Sequence, residues 1–328
     1  MELRNAKRGG SLVRFLVVVG VLAIAAGLLL PRVLERARGR EQWEFVTKWG
    51  SQGSGNGQFA FLRGIAVNSS GNVYVADAVN KSIQKFDSEG NFLGRWGSPG
   101  SGNGQFVSPK GVAVDSMGNV YVADLANHRI QKFDSWGRFI LRWGWKGPRP
   151  GQVLWPRGIA VDLSGNVFVA DGGLGIPTIK KFDSSGKFLT QWGSKGSGDG
   201  EFESPRGVAV DSKGNVFVAD GFINHRIQKF DSSGRFLTKW GSQGSGDGEF
   251  KEPDGIAVGP DGNVYVAEVR NHRIQKFDSS GKFLTKWGGK GSGDGEFKAP
   301  TGIAVDTSGN VFVADVGNYR IQKFRPRR

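Results

Sequence analysis

Residues 205–241 read PRGVAVDSKGNVFVADGFINHRIQKFDSSGRFLTKWG. Four short runs, GVAV, NVFVAD, RIQKF and RFLTKW, are rich in Val, Ile and Phe and are separated by clusters of Asp, Ser, Gly and Asn, the pattern of strands joined by tight turns. The apolar residues do not follow the helical period. The stretch therefore predicts one four-stranded antiparallel sheet. Its opening tetrapeptide, GIAV or GVAV, recurs at Gly64, Gly111, Gly158, Gly207, Gly255 and Gly302, at intervals of 47, 47, 49, 48 and 47 residues. Four strands in a repeat of this length make a propeller blade.

The two ends of the array complement each other. The sixth copy stops at RIQKFRPRR without its fourth strand, and Glu44-Phe45-Val46-Thr47-Lys48-Trp49-Gly50 supplies a lone copy of that strand before the first repeat. An open solenoid needs distinct caps, whereas these ends pair and remove the exposed sheet edges. The expected fold is all-β: a six-bladed β-propeller of four-stranded antiparallel blades, closed by an N-terminal strand and preceded by one apolar transmembrane helix.

With 328 residues, 38% of them apolar, and with 23 Phe and 10 Trp, the chain can bury a core. Its 53 glycines follow no Gly-X-Y period, which excludes collagen and points to frequent turns. The absence of cysteine excludes disulfides, thiolate zinc sites, iron–sulfur clusters and a cysteine nucleophile. The net charge of +14 is concentrated at the ends, so that residues 42–324 carry only +6. The globular part is mildly basic, which weakens a nucleic-acid reading based on charge alone.

Arg4, Lys7, Arg8 and Arg14 precede the uncharged run from Phe15 to Leu30, FLVVVGVLAIAAGLLL, which Pro31 and Arg32 end. As a helix at about 1.5 Å per residue the run covers about 24 Å, short of the roughly 30 Å hydrocarbon core but extendable by snorkelling of Arg14 and Arg32. A single membrane anchor is the leading reading. A cleaved signal peptide competes with it, because Ala23-Ile24-Ala25 has the small-x-small form of a cleavage site, although it lies inside the run. A buried core helix is the third reading. The organisation expected is a basic segment at 1–14, the anchor at 15–31, a linker at 32–43 and the propeller at 44–328, displayed outside the cytoplasm.

The repeated pattern PxGIAVDxxGNVYVAD…NHRIQKFD closely resembles the NHL repeat family of six-bladed propellers, over about residues 44–324. Asn127-His128, Asn224-His225 and Asn271-His272 reproduce the family's Asn-His step, while the first repeat has Asn80-Lys81, the sixth Asn318-Tyr319, and the third replaces the step with Gly172 to Thr178. The resemblance implies one of three functions: a membrane-tethered sensor, an RNA-binding propeller of the tripartite-motif ubiquitin ligases, or a peptide-amidating lyase. Ubiquitin ligation itself needs a cysteine-rich RING domain, which this chain lacks. In the lyase, zinc-binding histidines match His128 in one place only, and the other positions hold Lys, Arg, Asp or Thr.

In a propeller the loops from fourth to first strand and from second to third strand share one face, on which family members bind partners. The residues before each first-strand Gly, Arg63, Lys110, Arg157, Arg206, Asp254 and Thr301, form an inner ring there. Four cations at a channel mouth would attract an anionic ligand, an acidic peptide or phosphate; the alternative is that they are solvated charges. His128, His225 and His272 form an outer ring, spread by symmetry over three blades and not converging on a metal. Trp49, Trp96, Trp143, Trp192, Trp240 and Trp287 recur at one place in each blade and are expected to pack between blades. The off-pattern Trp136, Trp145 and Trp155 are candidates for exposed contacts, Trp145 and Trp155 as part of the ligand face with the two rings.

Asp124, Asp220, Glu268 and Asp315 each precede an arginine by five or six residues (Arg129, Arg226, Arg273, Arg320), which suggests a brace across a hairpin loop. The GSGDGEF loops, with Asp199/Glu201, Asp247/Glu249 and Asp294/Glu296, lack the alternating ligands of an EF-hand and read as turns. With no nucleophile elbow or phosphate loop visible, the expectation is a membrane-anchored propeller without enzymatic activity, metal or cofactor. It would bind a protein, peptide or surface ligand, with membrane contact through Phe15 to Leu30. RNA binding is the first alternative and a propeller lyase or hydrolase the second.

Overall fold

A computed structural model describes residues 42–173 and 175–327. The anchor expected at 15–31 lies outside these residues; among the described residues no helix is long and apolar enough to cross a membrane.

Six four-stranded antiparallel sheets are present, one per repeat. The fourth repeat, for example, forms strands at Pro205–Val210, Val216–Asp220, Arg226–Phe230 and Phe236–Trp240. Every second strand (VYVAD, VFVAD or VYVAE) is buried along its whole length, because it sits mid-sheet between two neighbouring blades. The outermost strands mix exposed and half-buried residues, alternating strictly in Phe236–Trp240 of the fourth blade. Turns such as Asp211–Asn215 close on the aspartate, whose Oδ1 accepts the Lys213 and Asn215 N–H groups.

The ring closes as its ends require. Trp43–Trp49, beginning one residue before the expected boundary, pairs antiparallel with Arg320–Pro326 and completes the sheet of Pro300–Val305 and Val311–Asp315. A bulge between Phe45 and Thr47 shifts the register there.

The recurrent tryptophans pack between blades. Trp49 of the sixth blade lies 6.0 Å from Phe86 of the first, Trp96 of the first 6.0 Å from Phe133 of the second, and Trp287 of the fifth 5.9 Å from Phe324 of the sixth. In five blades a turn glycine covers the preceding blade's indole; a Cβ on Gly281 would lie 2.6 Å from the Trp240 ring. The sixth blade has no such turn, and there Trp43 stacks on Trp287 at 4.5 Å and 17°. Trp43 is a packing aromatic that periodicity does not reveal, since it stands outside the repeat.

At the axis the first-strand glycines allow the closest approach. A Cβ on Gly207 would lie 2.3 Å from the Asp254 carbonyl oxygen, one on Gly255 2.0 Å from that of Thr301, and one on Gly302 2.4 Å from that of Arg63. Any side chain would push adjacent blades apart, so glycine is required here by contact and not by backbone angle.

Candidate functional site

The Asn-His step is a loop clamp. Asn127 Nδ2 donates to the Gly100 carbonyl at 2.9 Å and to the Asp124 carboxylate at 2.6 Å, and Asn80, Asn224, Asn271 and Asn318 repeat the arrangement. The following residue takes the left-handed conformation, with φ of 54° at His128, 47° at His225, 54° at His272, 55° at Lys81 and 54° at Tyr319. That conformation does not require imidazole, which explains why Lys and Tyr substitute for His.

The three histidines each tie their blade to the next through Nδ1. His225, buried, accepts the Glu252 N–H at its Nδ1 (3.2 Å), and His272 Nδ1 accepts that of Ala299 (3.0 Å). His128 Nδ1 bonds instead to the Leu154 carbonyl, as a donor. Burial is the main force lowering the pKa of both His225 and His272 below the ordinary histidine value. The unfolded chain therefore takes up these two protons at higher pH than the fold does. The stabilisation is complete above the ordinary histidine pKa and is lost as pH falls through the lowered values. The melting temperature is expected to drop on going from pH 7.5 to pH 5, and the drop to shrink in His225→Asn/His272→Asn, since Asn tolerates the backbone but does not titrate. Equal drops in both proteins would refute this.

The acid–arginine pairs are braces, as expected. Arg129, Arg226, Arg273 and Arg320 face Asp124, Asp220, Glu268 and Asp315 at 3.4, 3.5, 2.5 and 2.8 Å, and each guanidinium also donates to three backbone carbonyls of the glycine-rich loop. The third blade, which has Thr178 in place of the arginine, meets the same need differently. Lys180, standing where the other blades have Gln, is buried with its ammonium 3.5 Å from Asp171. The first blade has Ser82, and there the Val79 and Asn80 N–H groups add donors to Asp77. In the GSGDGEF loops the glutamates accept Gly N–H groups, and Asp199, Asp247 and Asp294 pair with Lys239, Lys286 and Lys48. Among the described residues no three His, Asp or Glu side chains converge on a metal position.

The inner ring does converge. Arg63, Lys110, Arg157, Arg206, Asp254 and Thr301 and their glycines line an axial cavity of about 90 Å³. Asp254 is the only carboxylate among them, with its Oδ2 3.6 Å from Arg206 Nη1 and 3.9 Å from Arg63 Nη1. In ring order Lys110 stands opposite Asp254, so Lys110 and Arg157 are the cations without an acid. The Nε atoms of Arg63, Arg157 and Arg206 are buried with no hydrogen-bond partner. Burial, reinforced by Arg63 and Arg157, pushes the Lys110 ammonium down to about 8, against the pull of Asp254.

Apolar groups surround the cations. The Phe61 ring lies 4.1 Å from the Arg63 guanidinium and 5.6 Å from the Lys110 ammonium, and Phe222 lies 5.7 Å from Arg206. Val79, Trp145, Ile176, Phe222 and Ile223, on the loops of the same face, are exposed. Trp145 is thus exposed. Trp155 departs from the expectation of an exposed contact: it is half-buried, with its N–H on Asp171 and its carbonyl accepting from Gly172. Phe61 and Phe222 were not marked by the sequence, because each occurs in one repeat only and lies outside the strand pattern.

The NHL repeat model matches residues 59–86, 106–133, 202–230, 250–277 and 297–324. The chain carries five NHL repeats. The third blade, where Gly172 to Thr178 replaces the Asn-His step, lies outside these matches. Protein lin-41 of Caenorhabditis elegans is 39% identical to this chain over 67 residues, 19% of this chain and 6% of lin-41, so the chain spans a small fraction of that relative. Among solved structures, a gluconolactonase from Xanthomonas campestris superposes with a TM-score of 0.61 at 14% identity, covering 83% of this chain and 88% of that one. A streptogramin B lyase superposes at 0.60 with 15% identity, covering 87% and 98%. These superpositions establish a shared fold. They also correct the expectation that the chain is not an enzyme: a lactonase and a lyase are built on this scaffold, and the lack of a motif within six similar repeats does not exclude catalysis.

Proposed function

We propose that the NHL propeller binds a protein or peptide ligand on its loop face, with an acidic group of the ligand seated in the axial mouth between Lys110 and Arg157, and that residues 15–31 anchor the chain in a membrane with the propeller outside the cytoplasm. The charge imbalance of the mouth carries the binding reading: four cations, one carboxylate and three buried guanidinium Nε atoms without acceptors. A carboxylate entering there gains charge-assisted hydrogen bonds from donors already desolvated. The surrounding Phe61, Phe222 and Trp145 favour a ligand whose acidic group is flanked by apolar side chains.

The test is binding of an array of peptides with Asp or Glu between apolar residues to the full chain and to Lys110→Glu/Arg157→Glu. The double variant is expected to bind at least tenfold more weakly, a loss of about 1.4 kcal/mol. Wild-type affinity is expected to fall as pH rises past about 8, where Lys110 loses its charge, and this fall to be absent in Lys110→Arg. Unchanged affinity in the double variant would refute the reading. Binding of single-stranded RNA that weakens steeply between 50 and 200 mM salt would favour a phosphate ligand instead.

A further inference from the structure

The opposite face, made by the turns from first to second and from third to fourth strand, carries an asymmetry that the fold does not need. Met117 in the second blade is 86% exposed, Trp136 in the same blade 78% and Leu163 in the third 74%. At the position of Trp136 the other blades have Glu89, Ser185, Ser233 and Ser280, and at that of Met117 they have Ser70, Ser164, Lys213, Asp261 and Ser308. The turns use only backbone here: Met117 and Trp136 each donate their N–H to the turn aspartate, as serine and lysine do elsewhere. The Lys85 ammonium lies 5.2 Å from the Trp136 ring, yet that ring stays mostly exposed, and Met117 and Leu163 are large apolar side chains held in water on adjacent blades.

The chain also enters the fold on this face. Trp43, the first residue of the closing strand, pairs with Pro326 at the turn end of the sixth blade, and Glu44, Arg325 and Arg327 share a cavity with the turn residues Ser308 and Asn310. Residues 32–42 reach at most about 40 Å at ~3.6 Å per residue. A tether from an anchor at 15–31 would thus join the propeller on the turn face, the face it can bring to the bilayer with the least chain.

We propose that this turn face seats on the phospholipid interface, with Met117, Trp136 and Leu163 inserted at the headgroup level. Tryptophan is favoured at that depth by its amphipathic ring, and Met and Leu gain by leaving water. The inference rests on the anchor reading. It directs the cationic mouth away from the membrane, towards ligands in the surrounding medium.

The chain has no cysteine, so a single introduced thiol takes a label uniquely. Full-length Leu163→Cys and, on the loop face, Ile223→Cys would carry a polarity-sensitive fluorophore and be reconstituted into phosphatidylcholine–phosphatidylglycerol vesicles containing nitroxide lipids. The label at 163 is expected to shift to the blue and lose most of its emission to the lipid quencher, and the label at 223 to keep its emission and respond only to an aqueous quencher. If the protein floats with the vesicles but both labels behave alike, the seating is overturned while the anchor stands. If it does not float, the anchor reading fails and the seating falls with it. A label at 163 shielded from both quenchers would mean that protein, not lipid, covers the face, which also overturns the proposal.

Discussion

Deletion of residues 42–50 is expected to abolish the cooperative unfolding transition of the whole propeller, not to fray one blade. The deleted strand gives the sixth sheet its outer edge and contributes three half-buried aromatic rings. Trp43 stacks on Trp287 of the fifth blade, Phe45 lies 6.1 Å from Phe324 within the sixth, and Trp49 reaches Phe86 of the first. Truncating a fully buried Phe or Trp costs about 3–5 kcal/mol, and even half of that for each ring approaches the whole net stability of a typical domain, about 5–15 kcal/mol. The loss also falls on the one junction where no covalent chain links the fourth strand of a blade to its third. Calorimetry of the truncated chain beside the full one decides the matter. A single transition at an unchanged temperature would show that the other blade contacts suffice.

Arg273→Ala is expected to cost about 3–5 kcal/mol, the usual penalty for leaving a buried charge without its partner. The Arg273 guanidinium is the hub of its loop, 2.5 Å from Glu268 and donating to the carbonyls of Ser245 at 2.6 Å, Gly246 at 2.9 Å and Glu249 at 2.8 Å. Without it Glu268, fully buried, keeps its neutral donors Asn271, Gln275 and the Lys251 N–H but no cation. In a domain of this size the melting temperature should fall by roughly 10 °C. Arg273→Lys should recover only part of the loss, because an ammonium restores the charge without the fork that reaches three carbonyls. A melting temperature within a degree or two of wild type for Arg273→Ala would show that the neutral donors alone hold the carboxylate.

The two effects differ in how far the sequence announced them. The closing strand was readable because a fourth-strand copy stands before the first repeat and is missing after the last. The arginine brace was readable in four blades from a constant offset between acid and base. Its replacement in the third blade was not. Lys180 occupies a column that is Gln elsewhere, and only the pairing of Asp171 with Thr178 in the sheet shows that the neighbouring column points to the same carboxylate. The histidines show the reverse case. Their recurrence marked them for a ligand face, and only the tertiary structure shows that each also bonds, through Nδ1, to a backbone group of the next blade.

Strand alternation, turn chemistry and a period near 47 residues are properties of neighbours along the chain, and they determined the blades, their number and the closure without reference to any distant contact. Tertiary structure decided the rest, since it depends on residues that meet only when the ring is shut. Asp254 lies within 3.9 Å of Arg63 although 191 positions separate them, and that meeting is what leaves Lys110 and Arg157 as the unpaired side of the mouth. The same closure brings Trp43 against Trp287 and sets which face the chain enters. Charge balance and burial are sums over everything within a few ångströms, and one-dimensional order does not contain those sums.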